Sequence, residues 1–203
     1  MRRSGCLIAG IVVVVLVVIL GMFLAGTYNG LVGSEQNVEA KWAQVQNAYQ
    51  RRADLIPNLV ATVKGAASFE QETLTRIVEA RSRVGQISAQ ATQEILNDPQ
   101  KFAQYQQAQD GLSSALSRLL VVQEQYPQLQ AVPAFRDLMV QLEGSENRVS
   151  VERMRFNEAA QEYNTRVRRF PAAIFAGMLG FQPKPYFQSQ PGAETAPKVD
   201  FGT

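Results

Sequence analysis

The chain has 203 residues, with 20 basic residues against 18 acidic ones and no histidine. Histidine is the side chain most used for acid–base chemistry near neutral pH and is the commonest metal ligand, so its absence argues against most catalytic and metal-binding classes. The single cysteine, Cys6, excludes an internal disulfide, and the balanced charge gives no indication of a nucleic-acid partner.

Residues 7–26 form an apolar run, LIAGIVVVVLVVILGMFLAG, and no charged side chain occurs between Arg3 and Glu35. This length matches the roughly 20 residues that a helix needs to cross a bilayer. A cleaved signal peptide is the alternative, but its apolar region usually spans only about 7 to 15 residues. We therefore predict a retained single-pass anchor over 7–27.

The charges beside the anchor predict its orientation. Arg2 and Arg3 precede the apolar run, and the next basic residue is Lys41. Because basic residues are retained on the cytoplasmic side, residues 1–6 should be cytoplasmic and the rest of the chain should lie outside.

A first helix is predicted after the anchor from apolar residues spaced alternately four and three apart. No proline separates Gly26 from Leu31, so the anchor can continue into this helix. Pro57 should kink the helix without ending it, since the periodicity resumes at Leu59, and the helix should end near Gly65. Its apolar stripe comprises Val38, Trp42, Val45, Tyr49, Arg52, Ile56, Leu59 and Val63.

Two further helices are predicted before residue 127. Ser68 and Gln71 form a capping box before a helix whose stripe is Leu74, Ile77, Val78, Arg81, Val84 and Ile87. Residues 86–97 are interpreted as its frayed end and a connection. Asp98 and Pro99 are a helix start signal, and the third stripe is Phe102, Tyr105, Gln109, Leu112, Leu116, Leu119, Gln123 and Tyr126.

A fourth helix is predicted from Pro133 to Phe170, and no segment shows the alternation expected of strands. Its stripe is Phe135, Leu138, Leu142, Val149, Phe156, Tyr163 and Val167. The predicted fold is all-α: a transmembrane helix that continues into an antiparallel four-helix bundle over 28–170, with long first and fourth helices.

The antiparallel order returns the fourth helix to the bilayer, where residues 172–181, AAIFAGMLGF, are too short to span it. Either this segment packs against the base of the bundle or it enters the lipid interface. The missing basic face favours a hook on the bundle, over 171–187. From Gln182 the chain should be extended or disordered, with a disordered tail over 188–203. The membrane-proximal residues of the hook are Phe170, Phe175, Met178, Leu179 and Phe181.

The densest polar cluster, Arg51, Arg52 and Asp54, lies beside the predicted kink at Pro57. It is interpreted either as a site for an anion or headgroup or as a structural network, and the position of Arg52 on the apolar stripe favours the network, since a buried cation needs a carboxylate. The expected partners on the fourth helix are Glu143, Glu146, Asn147 and Arg148.

Several motifs follow one another along the chain: YNGLV at 28–32, Trp42, RRADLIPNLV at 51–60, Lys64-Gly65, EAR at 79–81, LEGSENR at 142–148, Tyr163-Asn164, Phe170-Pro171, Gly180-Phe181 and Tyr186-Phe187. Together they resemble the bacterial LemA family over nearly the whole chain beyond the anchor. The resemblance implies an N-terminal anchor with an antiparallel helical bundle, without an accepted enzymatic activity or defined catalytic residues. Because the family is bacterial, we expect the predicted anchor to lie in the inner membrane. Some relatives are linked to envelope or membrane organisation.

The sequence contains no phosphate-binding loop, metal-ligand cluster or nucleophile motif, so we predict no catalytic residue, cofactor or metal. The first functional hypothesis is a non-enzymatic scaffold of the bacterial envelope whose partners are the lipid bilayer, further copies of itself and other envelope proteins. The alternative is an accessory or sensor subunit that regulates a membrane protease or transporter.

Overall fold

The structure is a computed structural model, and its regular elements are all helical. Within the described residues there are six helices and no strand, which confirms the all-α prediction but not the count of four. The helices are α1 (Arg2–Lys64), α2 (Gln71–Ser88), α3 (Thr92–Asn97), α4 (Pro99–Val122), α5 (Pro133–Arg168) and α6 (Ala172–Phe175). The described residues are 2–64, 71–88, 92–122, 126, 129 and 131–189.

Helix α1 is one uninterrupted helix of 63 residues that includes both the predicted anchor and the first helix beyond it. It ends at Lys64, as predicted, and Pro57 lies inside it. Its apolar N-terminal part is long and apolar enough to cross a membrane, and the large side chains between Ile11 and Leu24 are exposed. Among the residues that the structure describes, no other element therefore covers this apolar surface.

The stripe predicted for the first helix is buried along its whole length, together with Leu31. Helix α1 packs mainly against α5, and α2 packs against α4. Arg52 in α1 contacts Glu146 in the first half of α5, whereas Gly30 in α1 lies beside Arg166 near the end of α5. These contacts show that α1 and α5 run in opposite directions.

The buried side chains form two clusters. The proximal core, nearer the apolar end of α1, contains most of the buried rings: Trp42, Tyr49, Phe102, Tyr105, Phe156, Tyr163, Phe181 and Phe187. The distal core is mainly aliphatic and contains Ile56, Leu59, Val63, Leu74, Ile77, Val84, Leu112, Leu116, Leu119, Leu129, Phe135, Met139 and Leu142.

The connection before α4 differs from the prediction. Residues 92–97 form a short helix instead of a frayed polar linker, because Ile95 and Leu96 are completely buried in the proximal core. The predicted start of the next helix is confirmed, since the carboxylate of Asp98 accepts the backbone N–H of Gln100 at 2.8 Å. The predicted cap at Ser68 lies outside the described residues.

Two members of the stripe predicted for α2 are exposed. Val78 is 49% exposed, and Arg81 is exposed while its Nε donates to the carbonyl of Ala53 at 3.2 Å. Within the predicted stripe, Leu74, Ile77 and Val84 provide the buried face of this helix.

Residues 181–189 form no helix or strand, and residues 182–189 (the C-terminal segment) pack against the domain. Lys184 and Phe187 are buried, and Phe187 belongs to the proximal core. The prediction of an extended or disordered chain from Gln182 did not include this packing against the domain. The remainder of the predicted disordered tail, 190–203, lies outside the described residues.

Candidate functional site

Arg52 is the centre of a polar layer between the proximal and distal cores. Its guanidinium is completely buried and donates to Glu146 Oε1 at 2.8 Å and to Ser113 Oγ at 2.6 Å. It also donates to the side-chain and backbone oxygens of Gln109, and Ser113 donates to the second oxygen of Glu146 at 3.1 Å. This Arg52 layer joins α1, α4 and α5.

The structure brings together two members of the predicted network, Arg52 and Glu146. The remaining predicted partners are exposed: Arg51, Asp54, Glu143, Asn147 and Arg148. Gln50 donates to the carboxylate of Asp54 at 2.7 Å, so Asp54 is hydrogen-bonded within its own helix and not to α5.

Sequence reasoning did not identify Gln109 and Ser113 as partners of Arg52. The sequence did contain an indication for Gln109, because it is a polar residue on the apolar stripe of α4. Its side chain is buried, as its position on that stripe predicts. Ser113 lies one turn further along the same helix and carried no comparable signal. Whether these side chains reach Arg52 depends on the register between α1 and α4. That register is set by tertiary packing and cannot be read from the sequence of either helix alone.

A second ion pair lies beside the Arg52 layer. Arg153 donates to the carboxylate of Asp110 at 2.7 Å and to the hydroxyl of Tyr49 at 2.6 Å. Its guanidinium also lies over the rings of Tyr49 and Phe187, 5.5 and 4.9 Å from their centres. Burial raises the pKa of Tyr49 well above its usual value, against the opposing effect of the Arg153 charge, so the phenol stays neutral.

The geometry of these pairs indicates a structural function. The Arg52 side chain has no exposed surface, so a solute can reach its guanidinium only if helices separate. Within the described part of the chain, no group of three or more acidic or cysteine side chains is arranged to hold a metal ion. The arrangement can fix the register of three helices.

Two asparagines of α5 hold the C-terminal segment. Asn164 accepts the N–H of Lys184 and donates to its carbonyl, both at 2.8 Å, and Asn157 makes the same pair of bonds with Phe187, both at 2.9 Å. Seven helical residues rise about 10.5 Å, and three extended residues cover about 10 Å. The matched lengths let both amides bind the extended backbone at once.

Lys184 links this segment to the part of α1 that follows the predicted anchor. Its ammonium is almost completely buried, pairs with the carboxylate of Glu35 at 2.7 Å and donates to Asn97 at 2.7 Å. It also lies 5.6 Å from the centre of the Tyr163 ring. The C-terminal segment is thus fastened to α1, α3 and α5, and sequence reasoning missed this role because Lys184 lies in a proline-containing polar stretch.

The predicted hook residues differ in how far they are buried. Phe181 is buried and packs edge-on against Tyr28, with ring centres 5.6 Å apart. Phe175 is half-buried, whereas the other three are exposed: Phe170, Met178 and Leu179. The hook therefore contacts the domain and also presents apolar side chains to its surroundings.

Comparison with known proteins gives a family match over most of the chain. The model of the LemA family matches residues 41–201, which include α2 to α6 and most of α1 beyond the apolar run. The motifs recognised in the sequence lie largely within this range.

Relatives share lower but extended identity. Magnetosome protein MamQ 2 of Paramagnetospirillum magneticum is 29% identical over 182 residues, covering 83% of this chain and 67% of the relative. Magnetosome protein MamQ of Magnetospirillum gryphiswaldense is 27% identical over the same shares. Protein LemA of Metamycoplasma hominis is 22% identical over 164 residues, covering 81% of this chain and 70% of that protein. None of these names denotes an enzymatic activity.

Proposed function

Because the chain belongs to the LemA family, we propose that it is a non-enzymatic scaffold of the bacterial envelope, anchored in the inner membrane and associated with copies of itself or other envelope proteins. The family membership and the magnetosome-protein relatives support a membrane-associated role without catalysis. Shaping or stabilising membrane is the function that such a scaffold would serve.

The observation that carries the proposal is the continuity of α1. A single helix runs from the apolar, exposed N-terminal part to Lys64. At 1.5 Å per residue, the part from residue 28 onward extends roughly 55 Å from the bilayer. A helix packed along this length transmits a force or an orientation between lipid and domain, whereas a flexible linker would not.

The four long helices supply the rigid body in this proposal. We assign α1, α2, α4 and α5 to an antiparallel bundle, with α3 and α6 as short additions at its proximal end. The Arg52 layer fixes the register of three of these helices, as buried polar groups do in coiled coils.

The proposed orientation places the N-terminus in the cytoplasm and the domain outside. Fusion of alkaline phosphatase after Thr203 tests it, since this enzyme becomes active only after export. We expect phosphatase activity in whole cells. A fusion of green fluorescent protein at the same position should show no fluorescence. The reverse pattern would place the domain in the cytoplasm.

Self-association is tested by mass photometry of the full chain, in detergent and in nanodiscs. We expect particles with two or more copies of the chain, or with a copurifying envelope protein. A strict monomer in both media, with no bound partner, would contradict the scaffold.

The alternative of a sensor subunit receives less support. A ligand site at the cluster formed by Arg51, Arg52 and Asp54 requires access to its charges, but Arg52 is sealed by Glu146, Ser113 and Gln109. The Arg52→Ala variant separates the two functions: loss of folding supports the structural one, and a folded but inactive protein supports a site.

A further inference from the structure

The hook has two faces. Ala172, Ala176 and Phe181 are buried against the domain, whereas four larger apolar side chains beside and between them are exposed. These exposed side chains, called the base patch, are Phe170, Ile174, Met178 and Leu179, and their exposed fractions range from 49% to 89%. An apolar cluster of this kind on a surface marks a contact with a partner or a membrane.

The position of the hook identifies what this contact is. Phe181 packs against Tyr28, which directly follows the predicted anchor, and Phe170 and Pro171 line a cleft together with Gly26 and Thr27. The hook thus lies beside the residues where α1 leaves the predicted hydrocarbon region. Side chains that point outward at this height meet the interface of the bilayer.

The charges beside the hook fit the same surroundings. The end of α5 and the residue after it provide three exposed arginines, and Arg166 is paired with Glu162 at 2.8 Å. Within the described ranges, neither Arg168 nor Arg169 forms an ion pair. Guanidinium groups bind phosphate oxygens in bidentate geometry, and basic residues at a membrane surface are attracted to anionic lipids. Tyr28, exposed at the same height, is a residue type enriched at membrane interfaces.

From these observations we infer that the base patch, together with Arg168 and Arg169, is a lipid-binding surface that docks the C-terminal end of the domain on the bilayer. The apolar side chains enter the interface and the arginines bind anionic headgroups. This inference rests on the proposed membrane anchoring and adds a second point of attachment. Two points would fix the tilt of α1 relative to the membrane, which a single helix leaves free.

Site-directed spin labelling of the full chain in nanodiscs tests the apolar part. In a Cys6→Ser background, Met178→Cys carries a nitroxide, and relaxation by oxygen is compared with relaxation by a water-soluble nickel chelate. Val140→Cys, exposed on α5 beside the distal core, is the matched control. We expect the oxygen-to-nickel ratio to be several-fold higher at residue 178 than at residue 140.

Two results would overturn the inference. Equal ratios at both positions would place the hook in water, and strong spin–spin broadening at residue 178 would identify a second copy as its occupant. A label at Val14→Cys reports the anchor separately. If it is in lipid while residue 178 is in water, only the docking surface fails; if residue 14 is also in water, the anchoring and the docking surface both fail.

The lipid composition tests the arginines. In nanodiscs of phosphatidylcholine with phosphatidylglycerol, Arg168→Gln with Arg169→Gln should lower the ratio at residue 178 several-fold, with little change in phosphatidylcholine alone. Arg136→Gln, at an exposed position near the start of α5, is the control and should change neither. An unchanged ratio in the anionic nanodiscs would contradict headgroup binding by the two arginines.

Discussion

The proximal and distal cores of the domain are built differently. The proximal core packs rings from α1, α4, α5 and the C-terminal segment, whereas the distal core consists mainly of Leu, Ile and Val side chains, with Phe135 as its fully buried ring. Ring pairs prefer particular angles and add energy beyond their buried area, whereas aliphatic side chains pack with less directional preference. The domain therefore has its most specific packing at the end where α1 approaches the membrane.

Trp42 shows what the rings contribute. Its ring lies 5.3 to 6.0 Å from those of Phe102, Tyr105, Phe156 and Phe187. One side chain thus joins α1 to α4, α5 and the C-terminal segment.

The largest expected effect comes from truncating this ring. Trp42→Ala should lower the free energy of unfolding by about 4–5 kcal/mol, and Leu59→Ala in the distal core by about 3 kcal/mol. Urea unfolding of the full chain in detergent, followed by circular dichroism, measures both. Equal losses would remove the energetic distinction between the two cores.

The Arg52 layer gives the next largest effect. Arg52→Ala should cost about 3 kcal/mol, because Glu146 and Gln109 lose a buried partner, whereas the adjacent, exposed Arg51→Ala should change stability by less than about 0.5 kcal/mol. The same unfolding experiment compares them. A small loss for Arg52→Ala would mean that the layer does not couple the two cores.

The attachment of the C-terminal segment contributes to the proximal core and not to the distal core, so its loss tests the proximal core separately. Asn164→Ala leaves the buried N–H of Lys184 without its acceptor and should cost about 2 kcal/mol. The control is Asn147→Ala, an exposed amide on the same helix, with an expected change near zero. Urea unfolding provides both values, and equal effects would argue against the docking role of Asn164.

High pH should destabilise the proximal core. Burial raises the pKa values of Tyr49 and Tyr163 above the usual 10.0, so the folded state retains protons that the unfolded state releases. Stability is fully present below pH 10 and should fall above it by up to about 1.4 kcal/mol per pH unit for each tyrosine. Tyr49→Phe should reduce this slope in unfolding measured between pH 9 and pH 11; an unchanged slope would contradict the assignment.

The smallest effect is expected at Gly180. Its φ of +87° favours glycine, and an added Cβ would meet no atom within 4 Å. Gly180→Ala should therefore cost only about 1 kcal/mol through the backbone, whereas Gly177→Ala, without a positive φ, should cost less. Thermal unfolding of the two variants distinguishes them, and equal midpoints would show that the turn relaxes.

Helix periodicity predicted the long elements because each long helix repeats its apolar contact over many turns. Thus the stripe from Val38 to Val63 is buried as expected, and the position of Arg52 on it predicted a buried cation. Helix α3 is too short for periodicity to be visible. The C-terminal segment binds through its backbone to Asn157 and Asn164, and a backbone contact leaves no apolar pattern in the segment that makes it.

In the proposed arrangement α1 remains whole, with its apolar end in lipid and its packed end in the domain. Intact-mass measurement of the protein recovered from floated membranes tests this most directly. We expect a chain that retains residues 7–26 and floats with the lipid at high salt. A soluble product that begins after Gly26 would contradict it.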